Sequence, residues 1–274
     1  MCLSGLKLKC LCKLSFSVKM SMIDKFNERI SSMTNKKEPK GYVIYDGPSL
    51  LNGERIIVIA LTSKSANTKT GDMMQTYIIT PHNPMYASKL GLDSANCGDC
   101  PHRGTPTDDP KRKQAVGRTC YVKLYQGVLV VWKQWEKGAY PMLQGHDALA
   151  MIGQDKDVRI GTYGDGGAVP SYIWDSLISK AKKHTAYCHQ YGNPNSSFDP
   201  MIYMVSADSL STAQQHWSLG NRTFRVIQDV SEVDKSKEIL CPASKEMGRR
   251  VQCSSCMLCG GSQVKAKSIA IVQH

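Results

Sequence analysis

Long apolar segments are missing from this sequence. No run of eighteen apolar residues occurs, which excludes a transmembrane helix. The first residues give no convincing secretory signal, because Lys7, Lys9 and Lys13 interrupt the apolar stretch that such a signal needs. The order G-x-x-x-x-G-K-[ST] of a phosphate-binding loop is absent as well, although residues 62–72 have the composition of either a ligand-binding loop or an exposed hairpin loop. We therefore expect no membrane partner and a cytoplasmic location.

Large aromatic side chains are scarce, with four Phe and four Trp against twelve Tyr and thirteen Met. The hydrophobic fraction of 41% and the charged fraction of 21% are nevertheless typical of soluble globular chains. The 274 residues suffice for one large domain or two small ones. A formal charge of +12 makes nucleic acid a candidate partner, but the scattered basic residues also fit a solvated surface. The sequence does not indicate an oligomeric state.

The first forty residues differ from the rest of the chain. They carry nine Lys or Arg against three Asp or Glu, which is half of the positive surplus. We interpret residues 1–40 as a basic arm and linker, and we expect residues 1–19 to precede the natural start of translation. Residues 41–238 are predicted to form an α/β core, and residues 239–274 a cysteine-rich segment.

Two clusters contain seven of the eleven cysteines. The C-terminal cluster has the spacing C-x11-C-x2-C-x2-C and consists of Cys241, Cys253, Cys256 and Cys259. Cysteine thiolates at two-residue gaps can bind one metal centre, whereas a set of buried or free thiols is the alternative. Three close cysteines with a distant fourth resemble iron–sulfur ligation more than the paired knuckles of a zinc ribbon, and both metals stay open. We predict a closed, structural site here.

The other cluster has the spacing C-x2-C-x19-C and consists of Cys97, Cys100 and Cys120. His102 and Cys188 are candidates for a fourth ligand. If no protein side chain fills the fourth place, the centre has an open position, which distinguishes catalytic from structural metal sites. A structural zinc knuckle is the alternative interpretation.

The middle of the chain alternates between strand-like and helix-like patterns. Strands are predicted at 54–61, 74–80, 122–135, 158–162, 185–189, 201–206 and 223–228, helices at 83–92, 171–183 and 210–216, and an edge strand in the last ten residues. This order predicts an α/β fold with a mostly parallel sheet or partial barrel, flanking helices and a small cysteine-rich C-terminal knuckle.

Ligands of parallel sheets bind at the carboxyl ends of the strands. Three polar side chains follow predicted strands and are candidates for acid, base or orienting groups: Asp165, His189 and Asp208. The turn after residues 158–162 is rich in glycine, and its candidate cofactor-binding residues are Tyr163, Gly164, Gly166 and Gly167. Asp165 within that turn is equally interpreted as a turn residue, and His189 as a metal ligand.

Four motifs occur in order along the chain: GDCPHRG at 98–104, CY at 120–121, YGD with a proline-started helix from 163, and CPA…C-x2-C-x2-C-GG at 241–261. With them the chain resembles a group of uncharacterised bacteriophage and plasmid proteins over roughly residues 42–262. The resemblance implies the host cell cytoplasm and assigns no activity.

More weakly, the first cluster resembles that of radical S-adenosylmethionine enzymes. The resemblance implies a [4Fe–4S] cluster held by Cys97, Cys100 and Cys120, with one iron open to S-adenosylmethionine. It also implies that the turn after residues 158–162 meets the methionine end of that cofactor. The family spaces its cysteines C-x3-C-x2-C within one loop, so the gaps of two and nineteen residues are a departure.

Two functions follow from these patterns. The first is a cysteine-rich metalloprotein with an open iron–sulfur or zinc site in an α/β core, a second structural site and a divergent radical S-adenosylmethionine-like activity. The alternative is a zinc-stabilised nucleic-acid-binding phage protein without catalysis, in which Lys and Arg contact phosphates and Tyr stacks on bases.

Overall fold

The structure, a computed structural model, describes residues 38–63, 67–248 and 251–273. The predicted basic arm and the expected late start therefore lie almost wholly outside the described residues. From Lys40 onward the chain belongs to one structural unit.

Five strands form the first sheet, in chain order: β1 at Gly41–Pro48, β2 at Arg55–Leu61, β3 at Met74–Ile79, β4 at Asp157–Tyr163 and β5 at Lys183–Thr185. The first three strands pair antiparallel, whereas β4 runs parallel to both β3 and β5. The apolar run Ile56, Ile57, Val58 and Ile59 in β2 is fully buried, because the strand is covered on both faces.

Five further strands form the second sheet: β6 at Tyr187–Cys188, β7 at Met204–Ala207, β8 at Thr223–Ile227, β9 at Glu238–Leu240 and β10 at Ser268–Val272. Their spatial order is β6-β7-β8-β10-β9, and every pairing is parallel. Ala186 separates β5 from β6 and accepts a hydrogen bond from Met204, so residues 183–188 run from one sheet directly into the other. The prediction of a mostly parallel α/β fold is confirmed.

Within the described residues, seven α-helical segments flank the sheets: α1 at Pro84–Leu90, α2 at Ser94–Cys97, α3 at Leu129–Glu136, α4 at His146–Gly153, α5 at Ser171–Ile178, α6 at Leu210–Ser218 and α7 at Cys253–Cys256. The ends of α1 follow from its sequence. The Asn83 side chain caps the helix by accepting a hydrogen bond from the Met85 N–H, and Pro84 is its first residue. The helix ends at Gly91, which has the left-handed conformation.

Apolar side chains cover both faces of the first sheet. On one face, Val158 and Ile160 of β4 pack against Trp174 and Leu177 of α5. On the other face, Ile57, Ile79 and Tyr163 pack against the turn that leads into α3. The crossover from β4 through α5 to β5 therefore has the right composition for a buried parallel unit.

Two predictions of local structure are wrong. Residues 122–135 form a turn at Leu124–Val128, with non-helical backbone at Gln126, followed by α3 instead of a strand. Leu124, Val128 and Val131 recur every three to four residues and are buried against the sheet. The last strand, β10, lies between β8 and β9 and is not an edge strand. The boundary predicted at residue 239 falls inside β9, so β9 and β10 enclose the C-terminal cysteine segment within the second sheet.

No helix in the described ranges combines the length and the apolar character needed to cross a membrane.

Candidate metal centre

The first cysteine set, Cys97, Cys100 and Cys120, lies beyond the carboxyl end of β3. Cys97 is the last residue of α2, and Cys100 precedes a 3-10 turn at Pro101–Arg103. Burial raises the pKa of the Cys97 thiol well above its ordinary value, and the nearby Asp93, Cys100 and Cys120 raise it further. The structure thus brings the three predicted ligands together.

The nineteen residues between Cys100 and Cys120 form an excursion that returns to its starting point. Thr105 and Val116 exchange two backbone hydrogen bonds of 2.8 and 2.9 Å, which closes the excursion. The amides of Thr119 and Cys120 then both donate to the carbonyl oxygen of His102, at 3.2 and 3.1 Å. The gap between Cys100 and Cys120 is much longer than in radical S-adenosylmethionine enzymes, but the backbone contacts bring its two ends together.

Arg103 and Gln190 hold the loop of the first cysteine set. The Arg103 guanidinium binds the buried Asp93 carboxylate at 2.6 Å and donates to the carbonyl oxygens of Gly91 and Gly98. Gln190 donates to the Cys97 carbonyl at 3.1 Å and to the Asp99 carboxylate at 2.8 Å. These charge-assisted bonds fix the backbone around the thiols in advance of any ligand.

The spacing of the sulfurs bears on the metal. A tetrahedral zinc ion with Zn–S bonds of about 2.3 Å holds its sulfurs about 3.8 Å apart. Within residues 38–63, 67–248 and 251–273, no three cysteine sulfurs all lie within 4.8 Å of one another. This holds for both cysteine sets, so neither has its sulfurs at the spacing of a bound zinc ion in this structure.

Next to the first cysteine set lies a group of two histidines and one aspartate. The same carboxylate oxygen of Asp208, Oδ1, is 3.0 Å from His102 Nε2 and 3.3 Å from His189 Nε2. Burial alone would lower the pKa of His189, but its hydrogen bonds with Asp208 and Cys100 outweigh burial and raise the pKa to about 10. Burial alone would raise the pKa of Asp208, yet hydrogen bonds from both histidines keep it well below its ordinary value.

Three strand ends supply this group. His189 directly follows β6, Asp208 directly follows β7, and His102 lies in the loop that follows β3. The predicted pair His189 and Asp208 is therefore brought together, in the manner expected for the carboxyl ends of parallel strands.

Asp165, the third predicted polar residue, is buried and turned toward the backbone. Its two carboxylate oxygens accept from the amides of Gly167 at 2.9 Å and His189 at 2.6 Å. Its own amide donates to the carbonyl oxygen of Asn96, next to Cys97. Asp165 therefore positions His189 and the cysteine loop, and a chemical role for it stays a prediction.

The glycines of the turn after β4 serve close packing. Gly164 has a φ of 85°, and a Cβ there would lie 2.6 Å from the Cβ of Ile78. A Cβ at Gly166 would meet the Tyr203 ring, and one at Gly167 would meet Ser196 and Cys188. Protein atoms thus account for these glycines, and the binding of a cofactor by Tyr163, Gly164, Gly166 and Gly167 stays a prediction.

The second cysteine set, Cys241, Cys253, Cys256 and Cys259, converges beside β9 and β10. Three of its members pack in one apolar cluster with Met204 and Ile269. Burial, with a smaller contribution from the other three cysteines, raises the pKa of the Cys259 thiol to about 12, although the hydrogen bond with the Tyr187 hydroxyl lowers it. The loop at 67–72 supports the set, since the carbonyls of Lys69 and Thr70 accept from the amides of Cys253 and Ser254.

Two buried arginines face the second cysteine set without a carboxylate as hydrogen-bond partner. Arg159, only 8% exposed, donates to the Tyr121 hydroxyl at 2.6 Å and interacts electrostatically with Cys253 and Cys259. Arg222 donates to three backbone carbonyls, at residues 258, 261 and 267. A buried guanidinium that has no anionic partner is costly, and deprotonated thiols at these cysteines would supply such a partner.

Unsatisfied donors surround the same set. Seven buried side-chain nitrogen or oxygen atoms of the described residues lack a hydrogen-bond partner, and four of them are donors on segments that adjoin the second set: Arg159 Nε, Arg222 Nε, Thr185 Oγ1 and Ser244 Oγ. Thr185 pairs with Arg159 across β4 and β5, and the Ser244 amide donates to the Cys241 carbonyl. Sulfide and thiolate acceptors at a bound metal would satisfy such donors.

A pocket of about 450 Å³ opens beside the first cysteine set. Its lining residues are Leu51, Asp99, His189, Tyr191, Gly192, Asn193, Pro194 and Asn195. Because His189 belongs both to the pocket and to the histidine–aspartate group, a small polar ligand in the pocket would reach that group.

Comparisons with family models, curated proteins and solved structures find no match for this chain. The site is therefore interpreted from its own residues. Sequence reasoning missed the partners that tertiary folding supplies, namely Thr119, Arg159, Tyr187 and Arg222. The basic and aromatic residues near the cysteines gave only a weak signal, since many others are scattered along the chain.

Proposed function

We propose that this chain is an iron–sulfur enzyme with its active site at the carboxyl ends of β3, β4, β6 and β7. The observation that carries the proposal is the convergence of the first cysteine set with His189 and Asp208 at this edge. Three thiols leave one position of a [4Fe–4S] cluster free for a ligand other than cysteine.

The resemblance to radical S-adenosylmethionine enzymes gains support from the strand order. Because β1 and β2 are antiparallel additions, β3 is the first strand of the parallel series, and the first cysteine set follows it. The next parallel strand, β4, ends in the glycine-rich turn. When bound, an open cluster would supply an electron to a ligand such as S-adenosylmethionine at its free iron.

The chain's own residues have separate roles in this proposal. Cys97, Cys100 and Cys120 hold the cluster, and Arg103 and Gln190 fix their loop. His189, which hydrogen-bonds both Cys100 and Asp208, lies at the edge of the pocket and can contact a bound substrate there. Asp165 orients His189 through its amide. Tyr191 and Asn193 line the space where the substrate would bind.

The second cysteine set fits a closed site with four protein thiolates. Buried arginines and unsatisfied donors around it suit either a zinc ion or a second cluster, both of which carry negative charge when bound by four thiolates. We assign it the structural role. Free thiols throughout the described residues suit a reducing host cell cytoplasm.

Anaerobic purification of the full chain tests the proposal. We expect brown protein that absorbs at about 400 nm and contains iron and acid-labile sulfide. The double variant Cys97→Ala/Cys100→Ala should lose part of the iron, whereas Cys188→Ala, a buried thiol at the same sheet edge, should retain all of it. Addition of S-adenosylmethionine to the reduced protein should change its electron paramagnetic resonance spectrum and release 5′-deoxyadenosine.

The outcomes separate the interpretations. Iron without any response to S-adenosylmethionine would remove the cofactor assignment and leave the iron–sulfur protein. Colourless protein that contains only zinc would refute the proposal and favour the zinc-stabilised nucleic-acid-binding alternative, which salt-dependent retention on single-stranded DNA would then test.

A further inference from the structure

The histidine–aspartate group has the composition of a metal site of its own. The ligand atoms of His102, His189 and Asp208 all lie within 4.8 Å of one another. Two imidazoles and one carboxylate form the ligand set of many mononuclear iron sites, in which the remaining positions stay open to substrate and water. None of the seven cysteines belongs to this group.

The distances between the ligand atoms suit a first-row metal ion. With metal–nitrogen and metal–oxygen bonds of about 2.1 Å, two neighbouring ligand atoms are about 3.0 Å apart at a right angle and about 3.4 Å apart at a tetrahedral angle. The two distances from Asp208 Oδ1 to the imidazole nitrogens are 3.0 and 3.3 Å. Two of the three separations thus match a shared ion, and the third, between the two imidazole nitrogens, lies within 4.8 Å.

Contacts outside the proposed ligand set hold His102 and His189 in place. His102 Nδ1 lies 2.8 Å from the Thr119 hydroxyl, which leaves Nε2 directed at Asp208. The backbone amide of His189 is bound by the buried Asp165 carboxylate at 2.6 Å. Such outer contacts fix the ring orientation of metal-binding histidines and are a regular feature of metal sites.

Solvent reaches the group, so its open positions would be usable. The side chains of His102, His189 and Asp208 are 30%, 23% and 38% exposed. His189 also lines the pocket of about 450 Å³, together with the polar side chains of Asp99, Asn193 and Asn195. A ligand in this pocket could bind an ion held by the three residues.

The two histidines do not form separate pairs with different acids. Both converge on the same oxygen of one carboxylate, and their ring centroids are 5.5 Å apart. A single ion bound by all three side chains accounts for this three-way convergence.

We propose that His102, His189 and Asp208 bind one divalent transition-metal ion, whose open positions face the pocket and accept an oxygen ligand of the substrate. The proposal uses no cysteine and therefore does not depend on the iron–sulfur cluster.

Titration of the anaerobically purified full chain with Co²⁺ tests the site. We expect one Co²⁺ per chain beyond the metal already present, with the weak visible bands of nitrogen and oxygen ligation. Asp208→Asn and His102→Gln should each weaken Co²⁺ binding at least tenfold and leave the iron and sulfide content unchanged. His82→Gln, at an exposed histidine outside the group, and Asp108→Asn, at an exposed aspartate, are the matched controls.

The results decide between the two sites. Co²⁺ binding that is equally tight in both variants, or that shows the intense near-ultraviolet bands of thiolate ligation, would overturn the proposal. Absence of Co²⁺ binding to wild-type protein would do the same. Loss of Co²⁺ binding in the variants of a protein that contains no iron or sulfide would support this site while the iron–sulfur proposal falls. Far-ultraviolet circular dichroism checks folding, and if one variant does not fold, the other decides.

Discussion

Replacement of Arg159 by Met should destabilise the metal-loaded protein far more than the metal-free protein. Four thiolates around a zinc ion, or around a [4Fe–4S] cluster in its oxidised form, carry two negative charges. Arg159 and Arg222 are the buried cations next to these thiols and match that charge. Without metal, burial raises the pKa of the Cys241, Cys253 and Cys259 thiols, to about 12 at Cys259, and so favours their neutral form.

The size of the expected loss in unfolding free energy follows from the burial of the Arg159 guanidinium. Removing one partner of a buried charge pair costs about 3–5 kcal/mol, because the other charge is left uncompensated. We expect that loss for Arg159→Met in the loaded protein, including its hydrogen bond to Tyr121. In the metal-free protein the guanidinium has no anion, so its removal should leave the free energy of unfolding unchanged or raise it. The difference corresponds to metal affinity that is at least about a hundredfold weaker in the variant.

Urea unfolding under anaerobic conditions measures the free energy of unfolding of the metal-loaded protein and of the chelator-treated, metal-free protein. Arg225→Met is the matched control, since Arg225 is equally buried but pairs with the buried Glu238 carboxylate at 2.6 Å. That pair exists in both states, so the control should lose a similar free energy with and without metal. Equal losses for Arg159→Met in the two states would refute the argument that the cysteines carry the compensating charge.

Three further predictions concern the cysteine loops. Cys253→Ser should lower both metal content and melting temperature, because metal binding and folding are coupled, and metal analysis with calorimetry checks this. Gly98→Ala should cost about 1–3 kcal/mol in unfolding experiments, since Gly98 has a φ of 58° and a Cβ there would collide with Gln190. Replacing residues 106–115 by a two-residue turn should leave the iron content intact, because the pairing of Thr105 with Val116 already returns the chain; lost iron would show that the excursion itself shapes the site.

Local patterns predicted the parallel part of the fold. The order of strand, glycine-rich turn, helix and strand around residues 158–189 has strong signals, including Pro170 before α5 and an apolar helix face. Residues 122–135 misled the prediction, because the run VLVVW favours a strand by its β-branched residues. The same residues also have a helical pattern, because Leu124, Val128 and Val131 recur every three to four positions. Burial of these side chains against the first sheet favours the helix over the strand.

The cysteine sets were readable from spacing, whereas their surroundings were not. A spacing of two residues limits where thiols can be, so Cys97 and Cys100 were candidates without any structure. Nothing in the sequence indicated that the nineteen-residue gap closes on His102, or that Arg159 reaches the second set from another strand. Contacts of this kind depend on how strands order in space, which local patterns do not encode.

The segment at 183–189 connects the two cysteine sets. Tyr187 hydrogen-bonds Cys259 of the second set, and His189, two residues later, hydrogen-bonds Cys100 of the first. Tyr187 lies in β6, and His189 directly follows that strand. The same segment passes from the first sheet into the second, so both sets lie against the junction of the sheets. One short segment therefore carries a residue that contacts each cysteine set.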